Sequence, residues 1–183
     1  MAIFDKDIEI VELGDSLSRG TVSENWLING NPNGGYLMAL AAKAMLNRSA
    51  KKSIPIMTVN YISRCVPGDV EFHVDVISES TQFNRLQARI IQEGKERTRA
   101  WGTFADEKIE CVLDRYETTV PELAPLESCV PIPAIPKYTV MENLDIRLDP
   151  SCAGWMQGKL TDKSEHKGWI RFRDGRPFDM LSL

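Results

Sequence analysis

Asn33, Gly34, Gly35 and Tyr36 end a run of turn formers that starts at Asn29, and an alanine-rich segment follows at once. If that segment is a helix, its first backbone N–H groups lack intrahelical acceptors. There they favour a partly negative oxygen, and Gly35 and Tyr36 are the expected donors. The Gly34-Gly35 pair suggests backbone conformations that a Cβ would forbid. Thr58 and Asn60 share one face of a strand pattern and could meet the polar end of a small molecule, or simply satisfy neighbouring backbone. His73 alternates with Phe72 and Val74 on a polar face, and His166 lies in a loop between Asp162 and Lys167. Both read as solvated histidines. Cys65, Cys111, Cys129 and Cys152 form no CxxC pair and have no histidine at ligand spacing. They read as reduced thiols, with neither a metal site nor a cofactor expected.

The element that must position the first group is the segment from Leu37 to Leu46, where Lys43 alone is polar. A helix apolar on nearly every side is buried. Ala39, Ala41, Ala42 and Ala44 keep it thin enough for a sheet to wrap closely. The predicted helix covers 36–46 and runs out at Asn47-Arg48-Ser49.

Strands flank it. Asp7–Leu13 alternates around Ile8 and Ile10, and Ser18–Ser23 is a weaker second pattern. Downstream, strands are expected over 54–64, 70–78, 84–92 and 96–105, with Pro67-Gly68 closing the first. Val70, Phe72, Val74 and Val76 form one buried face, and Leu86, Ala88 and Ile90 another. Paired residues share a face, so these last three must lie beside Thr98, Ala100 and Gly102. That register leaves Glu93-Gly94-Lys95 as a three-residue loop and places Arg89 opposite Arg99. Ala88, Ala100 and Gly102 make a shallow trough for the thin helix. The pattern is α+β: an antiparallel meander over one buried helix.

The 183 residues carry a formal charge of −4, which excludes an ordinary nucleic-acid binder. No apolar run reaches the length of a membrane span, and the acids from Asp5 onward are unlike a signal peptide. A cytoplasmic protein with no membrane partner is expected. Prolines 121, 125, 131, 133 and 136 mark an extended linker. Beyond it, a strand pattern runs from Val140 to Leu148 and another from Gly168 to Arg173. Trp26 and Gly30-Asn31-Pro32 recur there as Trp169 and Gly175-Arg176-Pro177. We read this as a duplicated unit: a first domain over 1–107, a linker over 108–139, and the opening of a second over 140–183. The second buried helix would then begin near Leu181, so the sequence reads as a piece of a longer protein.

Asn31-Pro32-Asn33-Gly34-Gly35-Tyr36-Leu37 before an alanine-rich helix, then Tyr61, Val66-Pro67-Gly68 and Val70-Glu71-Phe72, resembles the TesB-like branch of the hotdog-fold acyl-CoA thioesterases. The likeness implies a hotdog fold, an antiparallel sheet wrapped around one long helix, and a double hotdog whose second unit is incomplete here. It implies hydrolysis of acyl-CoA thioesters between paired units, so a homo-oligomer or dimer is expected. Asn33, Gly34, Thr58 and Asn60 become candidate substrate contacts. The Gly35 and Tyr36 N–H groups become donors to the thioester oxygen. A coenzyme A phosphate becomes one possible bridge between Arg89 and Arg99, with water or nearby Glu and Asp the competing partners. The family's catalytic carboxylate lies on the second unit's helix, beyond Leu183, and 36–46 carries no acid. A non-catalytic acyl-CoA-binding or structural hotdog protein is the alternative. A hydratase of this fold would need an acid–histidine pair, which neither His73 nor His166 provides.

Overall fold

The computed structural model describes residues 1–14, 16–106, 115, 117–160 and 162–182. Cys111 and the predicted boundary at 107–108 lie outside them. The main helix, α2 (Gly34–Arg48), is buried from Tyr36 to Met45 with Met38 and Lys43 half-exposed. It starts because Asn33 takes extended backbone and its Oδ1 accepts the Tyr36 N–H at 3.2 Å. It stops at Ser49, whose N–H returns to Met45 O. Lys52 Nζ donates to the carbonyls of Leu46 and Ser49 at 2.7 and 2.6 Å, placing a cation at the negative end of the helix.

A short helix, α1 (Ile3–Asp7), precedes β1 (Ile10–Glu12) and β2 (Leu17–Val22). After β3 (Leu27–Ile28), β4 (Asn31–Pro32) and α2 come β5 (Ser53–Tyr61), β6 (Gly68–Glu79), β7 (Phe83–Gln92) and β8 (Lys95–Ala105). A six-stranded antiparallel sheet runs β1-β2-β6-β7-β8-β5 and wraps α2. β7 and β8 pair as expected: Leu86 with Gly102, Ala88 with Ala100, Ile90 with Thr98. Ala88, Ala100, Leu40, Ala41 and Phe104 are fully buried where the sheet meets the helix. Replacing Ala41 by leucine should overpack this contact and cost about 1–3 kcal/mol, read as a lower denaturant midpoint at unchanged slope. An unchanged midpoint would mean that the helix is not packed as described.

Several expectations need correction. Asp7–Leu13 is not one strand, because α1 ends at Asp7 and only Ile10–Glu12 is extended. Asp7 is held by tertiary partners that local periodicity does not record. Its Oδ2 accepts from Trp26 Nε1 at 2.8 Å and Asn25 Nδ2 at 2.9 Å, and its carbonyl accepts from Tyr36 Oη at 2.7 Å. The β7–β8 loop has two residues, Glu93 and Gly94, with φ of 53° and 70°, a geometry matched to hairpin twist. Parity survives because a bulge between Ile90 and Ile91 leaves Arg97 without a partner on β7. Val76 is 49% exposed rather than buried, as a bulge between Val76 and Ser78 turns the end of β6 away. The positive φ values near the helix belong to Asn29 and Gly30, which turn β3 into β4, whereas Gly34 and Gly35 are helical.

The proline-rich stretch gives one extended pair, β9 (Val130–Pro131), on the edge of a three-stranded sheet ordered β11-β10-β9. Here β10 is Leu144–Leu148 and β11 is Gly168–Phe172. The predicted strand from Val140 begins instead as a helical turn, α3 (Val140–Asn143). Each part has a short helix followed by two strands, α1-β1-β2 and α3-β10-β11, but β3 intervenes before Gly30 whereas Gly175 follows β11 directly. Gly30 and Gly175 take φ of 75° and 80°. The tryptophans do not correspond: Trp26 is buried after β2, while Trp169 is exposed within β11.

Between β10 and β11, Asp149 anchors a loop. It accepts from Ser151 Oγ at 2.6 Å, Ala124 N at 2.8 Å and Ser151 N at 2.9 Å. These bonds, the Ser151 hydroxyl first, hold its carboxyl down to about 2. A depressed folded-state value stabilises above the ordinary aspartate range and is lost as pH falls through about 2. An acid titration of the native near-ultraviolet signal should therefore show a transition below pH ~4 that Asp149→Asn removes. The same transition in the variant would assign it elsewhere.

Candidate active site

One stripe of α2, Gly35, Met38, Ala39 and Ala42, faces away from the sheet and forms one wall of an apolar cavity of about 290 Å³. The spacing is that of a single helix face. Ile54 and Met57 of β5 close one side, and Val140, Leu144, Ile170 and Phe172 close another. Phe178, Met180, Leu181 and Ser182 complete the lining. At one end an aromatic cluster joins the two parts of the chain. Phe4 meets Trp26 edge-on at 5.3 Å, Trp26 stacks on Tyr36 at 5.9 Å, and Phe172 lies 5.0 Å from Phe178.

Arg176 locks this cluster from below. Its side chain is only 6% exposed and its guanidinium stands over the Phe4 and Phe172 rings at 4.9 and 5.3 Å. Nε donates to Asp5 Oδ1 at 2.7 Å and Nη2 to Asp179 Oδ2 at 2.6 Å. Burial disfavours the guanidinium charge, but Asp5 and Asp179 outweigh it and raise its affinity for the proton. In the sequence Gly175-Arg176-Pro177 stands out as a repeat of Gly30-Asn31-Pro32, and nothing local marks Arg176 as the clasp between Asp5 and Asp179. Phe4, Trp26 and Phe172 carried no local signal for a shared wall.

At the start of α2 the expected residues do different jobs. Asn33 lines the cavity, and its Oδ1 is the helix cap. Tyr36 N–H, one of the two donors expected for a ligand, is therefore committed to Asn33. The N–H groups of Gly34 and Gly35 have no intrahelical acceptor, as any first helical turn dictates. The Tyr36 ring is buried. Its hydroxyl donates to Asp7 O and accepts from Ser23 N at 3.1 Å, and burial raises its pKa far above the usual phenol range. It is a neutral strut between α2 and α1. Space at both glycines is tight: a Cβ at Gly34 would lie 3.0 Å from Tyr61 Oη, and one at Gly35 3.1 Å from Asn33 Oδ1.

Thr58 and Asn60 are exposed on the outer face of β5, beside Trp101 and Arg99, and do not line this cavity. The Arg89–Arg99 opposition is real. Carboxylates answer it: Arg99 forks onto Glu96 at 2.6 and 2.7 Å, and Arg89 lies 3.6 Å from Asp75. His73 sits 3.6 Å from Glu71 on the sheet surface, and His166 stacks on Trp155. Among the described residues the cavity lining holds no carboxylate and no histidine. Cys65, Cys129 and Cys152 are buried free thiols, and burial pushes the Cys65 thiol up.

An antiparallel sheet wrapped around a single long helix, with the open face of that helix turned to a second layer, defines the hotdog class. Residues 22–105 match the family model of the acyl-CoA thioesterase N-terminal domain, and the chain resembles the TesB-like thioesterases. Solved structures share the fold. A hot dog fold protein from Alicyclobacillus acidocaldarius is 17% identical, with TM-score 0.85 over 100% of this chain and 67% of that one. A proposed thioesterase II from Thermobifida fusca is 20% identical, with TM-score 0.84 over 95% of this chain and 65% of that one. The acyl-CoA thioesterase II TesB2 of Mycobacterium marinum is 14% identical, with TM-score 0.70 over 97% and 63%. The chain thus spans about two thirds of the length of these relatives. Comparison with curated proteins gave no match. Among the described residues no helix is long and apolar enough to cross a membrane.

Proposed function

We propose that the full-length protein hydrolyses acyl-CoA thioesters to the free acid and coenzyme A. One observation carries this reading: an apolar cavity of about 290 Å³ reaches the first turn of a buried helix at Gly35. An acyl chain suits the apolar side. The thioester carbonyl then lies at the helix start, where the Gly35 N–H stabilises the charge that develops on oxygen. Gly34 N–H is the second donor in place of Tyr36. A carboxylate must orient or deprotonate the attacking water. It is supplied by a second hotdog unit, which opens at Val140 with a short helix and two strands, as the first opens with α1, β1 and β2. Paired units of this kind imply a dimeric assembly, in the cytoplasm, with acyl-CoA as its small-molecule partner.

The lack of any acid in the described lining favours a second reading, an acyl-CoA-binding protein without turnover. Thiol release from short, medium and aromatic acyl-CoAs by the full-length protein separates the two. Turnover of at least one substrate is expected. No turnover with measurable acyl-CoA binding would leave binding alone.

A further inference from the structure

On the other side of the same helix start lies a separate groove of about 430 Å³, lined by Asn31, Gly34, Leu37, Tyr61, Ser63 and Arg64 among others. Successive glycines thus border different chambers, Gly35 the apolar cavity and Gly34 this groove. Tyr61 Oη donates to Gly34 O at 2.6 Å and ties the end of β5 to the start of α2. The segment after Tyr61 is held on both flanks. Ile62 N and Ser63 N donate to Arg97 O at 2.9 and 3.1 Å, and Ser63 Oγ donates to Glu96 O at 3.0 Å. Val66 N donates to Gln92 Oε1 at 3.0 Å, and Gln92 Nε2 returns to Val66 O at 2.9 Å. Cys65 points inward and is buried, which leaves Arg64 on the exposed side of a fixed backbone.

Arg64 differs from the sheet arginines near it. Arg19, Arg89, Arg97 and Arg99 are paired with Glu71, Asp75, Glu93 and Glu96. Among the described residues none makes an ion pair or hydrogen bond with the Arg64 side chain. An uncompensated guanidinium that lines this groove from a hydrogen-bonded backbone fits an anion, and its planar fork fits a phosphate best.

We propose that this groove seats the phosphate-bearing end of an acyl-CoA, with Arg64 as the cation that meets a phosphate while the acyl end lies across the glycine pair in the apolar cavity. The inference rests on the acyl-CoA reading above and adds to it the recognition of the coenzyme half. Arg64 acts as a specificity residue: it touches neither the thioester nor the attacking water.

Equilibrium binding of coenzyme A and of pantetheine, which lacks the phosphates, tests it on the full-length protein. Wild type should bind coenzyme A about tenfold or more tightly than pantetheine, the size of one charge-assisted contact. Arg64→Gln should abolish that gap, leaving pantetheine affinity and the thermal midpoint unchanged. Arg85→Gln removes another exposed arginine that makes no ion pair among the described residues, and it should keep the gap. Persistence of the gap in Arg64→Gln, its equal loss in Arg85→Gln, or no gap in wild type overturns the inference. Thiol release is scored separately. An Arg64-dependent gap without turnover keeps the groove and loses the thioesterase; turnover with an Arg64-independent gap does the reverse.

Discussion

Gly35→Pro in the full-length protein is expected to lower kcat for acyl-CoA hydrolysis by about 10²–10³-fold, the usual effect of removing one oxyanion donor. Proline deletes the Gly35 N–H, which no intrahelical carbonyl accepts, and its fixed φ suits the first turn of a helix. Gly35 is the second residue of α2, so the helix should persist. The ring does crowd the cap, because a Cβ at Gly35 would lie 3.1 Å from Asn33 Oδ1. Gly35→Ala imposes the same crowding and keeps the N–H. It should retain turnover within a few-fold while proline does not, at similar KM and thermal midpoint. Equal activity of the two variants, whether high or low, would remove the Gly35 N–H from the chemistry.

The largest stability effect should come from Phe104. It is fully buried, and truncation to alanine should cost about 3–5 kcal/mol through lost transfer energy and the cavity left behind. Phe104 also explains Gly102. A Cβ there would lie 2.6 Å from Phe104 Cε2 and 3.2 Å from Met45 Cε, so Gly102→Ala should cost about 1–3 kcal/mol by overpacking. The two changes are coupled, because removing the ring vacates the space the new methyl needs. The double variant should then be more stable than the sum of the single losses by about 1 kcal/mol or more, measured by urea unfolding. Strict additivity would show that Gly102 is required by something other than the ring.

Each prediction rests on features that were visible in the sequence to different degrees. The thin buried helix was legible from Leu37–Leu46, since a segment with one polar residue has no face to give to water. The register of β7 against β8 was legible too, because side chains alternate across a strand and a buried face permits one parity only. The two-residue turn at Glu93-Gly94 was not. A bulge at Arg97 preserves that parity, so the pattern of faces is the same with either loop. Asn33 and the glycine pair were found by type, but their roles depended on distances that composition does not contain. Asn33 Oδ1 lies 3.2 Å from Tyr36 N, which takes one expected donor away from a ligand. Thr58 and Asn60 fit a polar-contact pattern and yet face away from the cavity, because strand alternation sets a face but not what lies opposite it. The wall built from Phe4, Trp26, Phe172 and Phe178, and the Arg176 clasp beneath it, join residues more than 140 positions apart. The sequence by itself determined the helix and the meander, since these follow from local patterns of burial. Only the tertiary structure decided which helix face is left open and what closes it, because that depends on where distant segments pack.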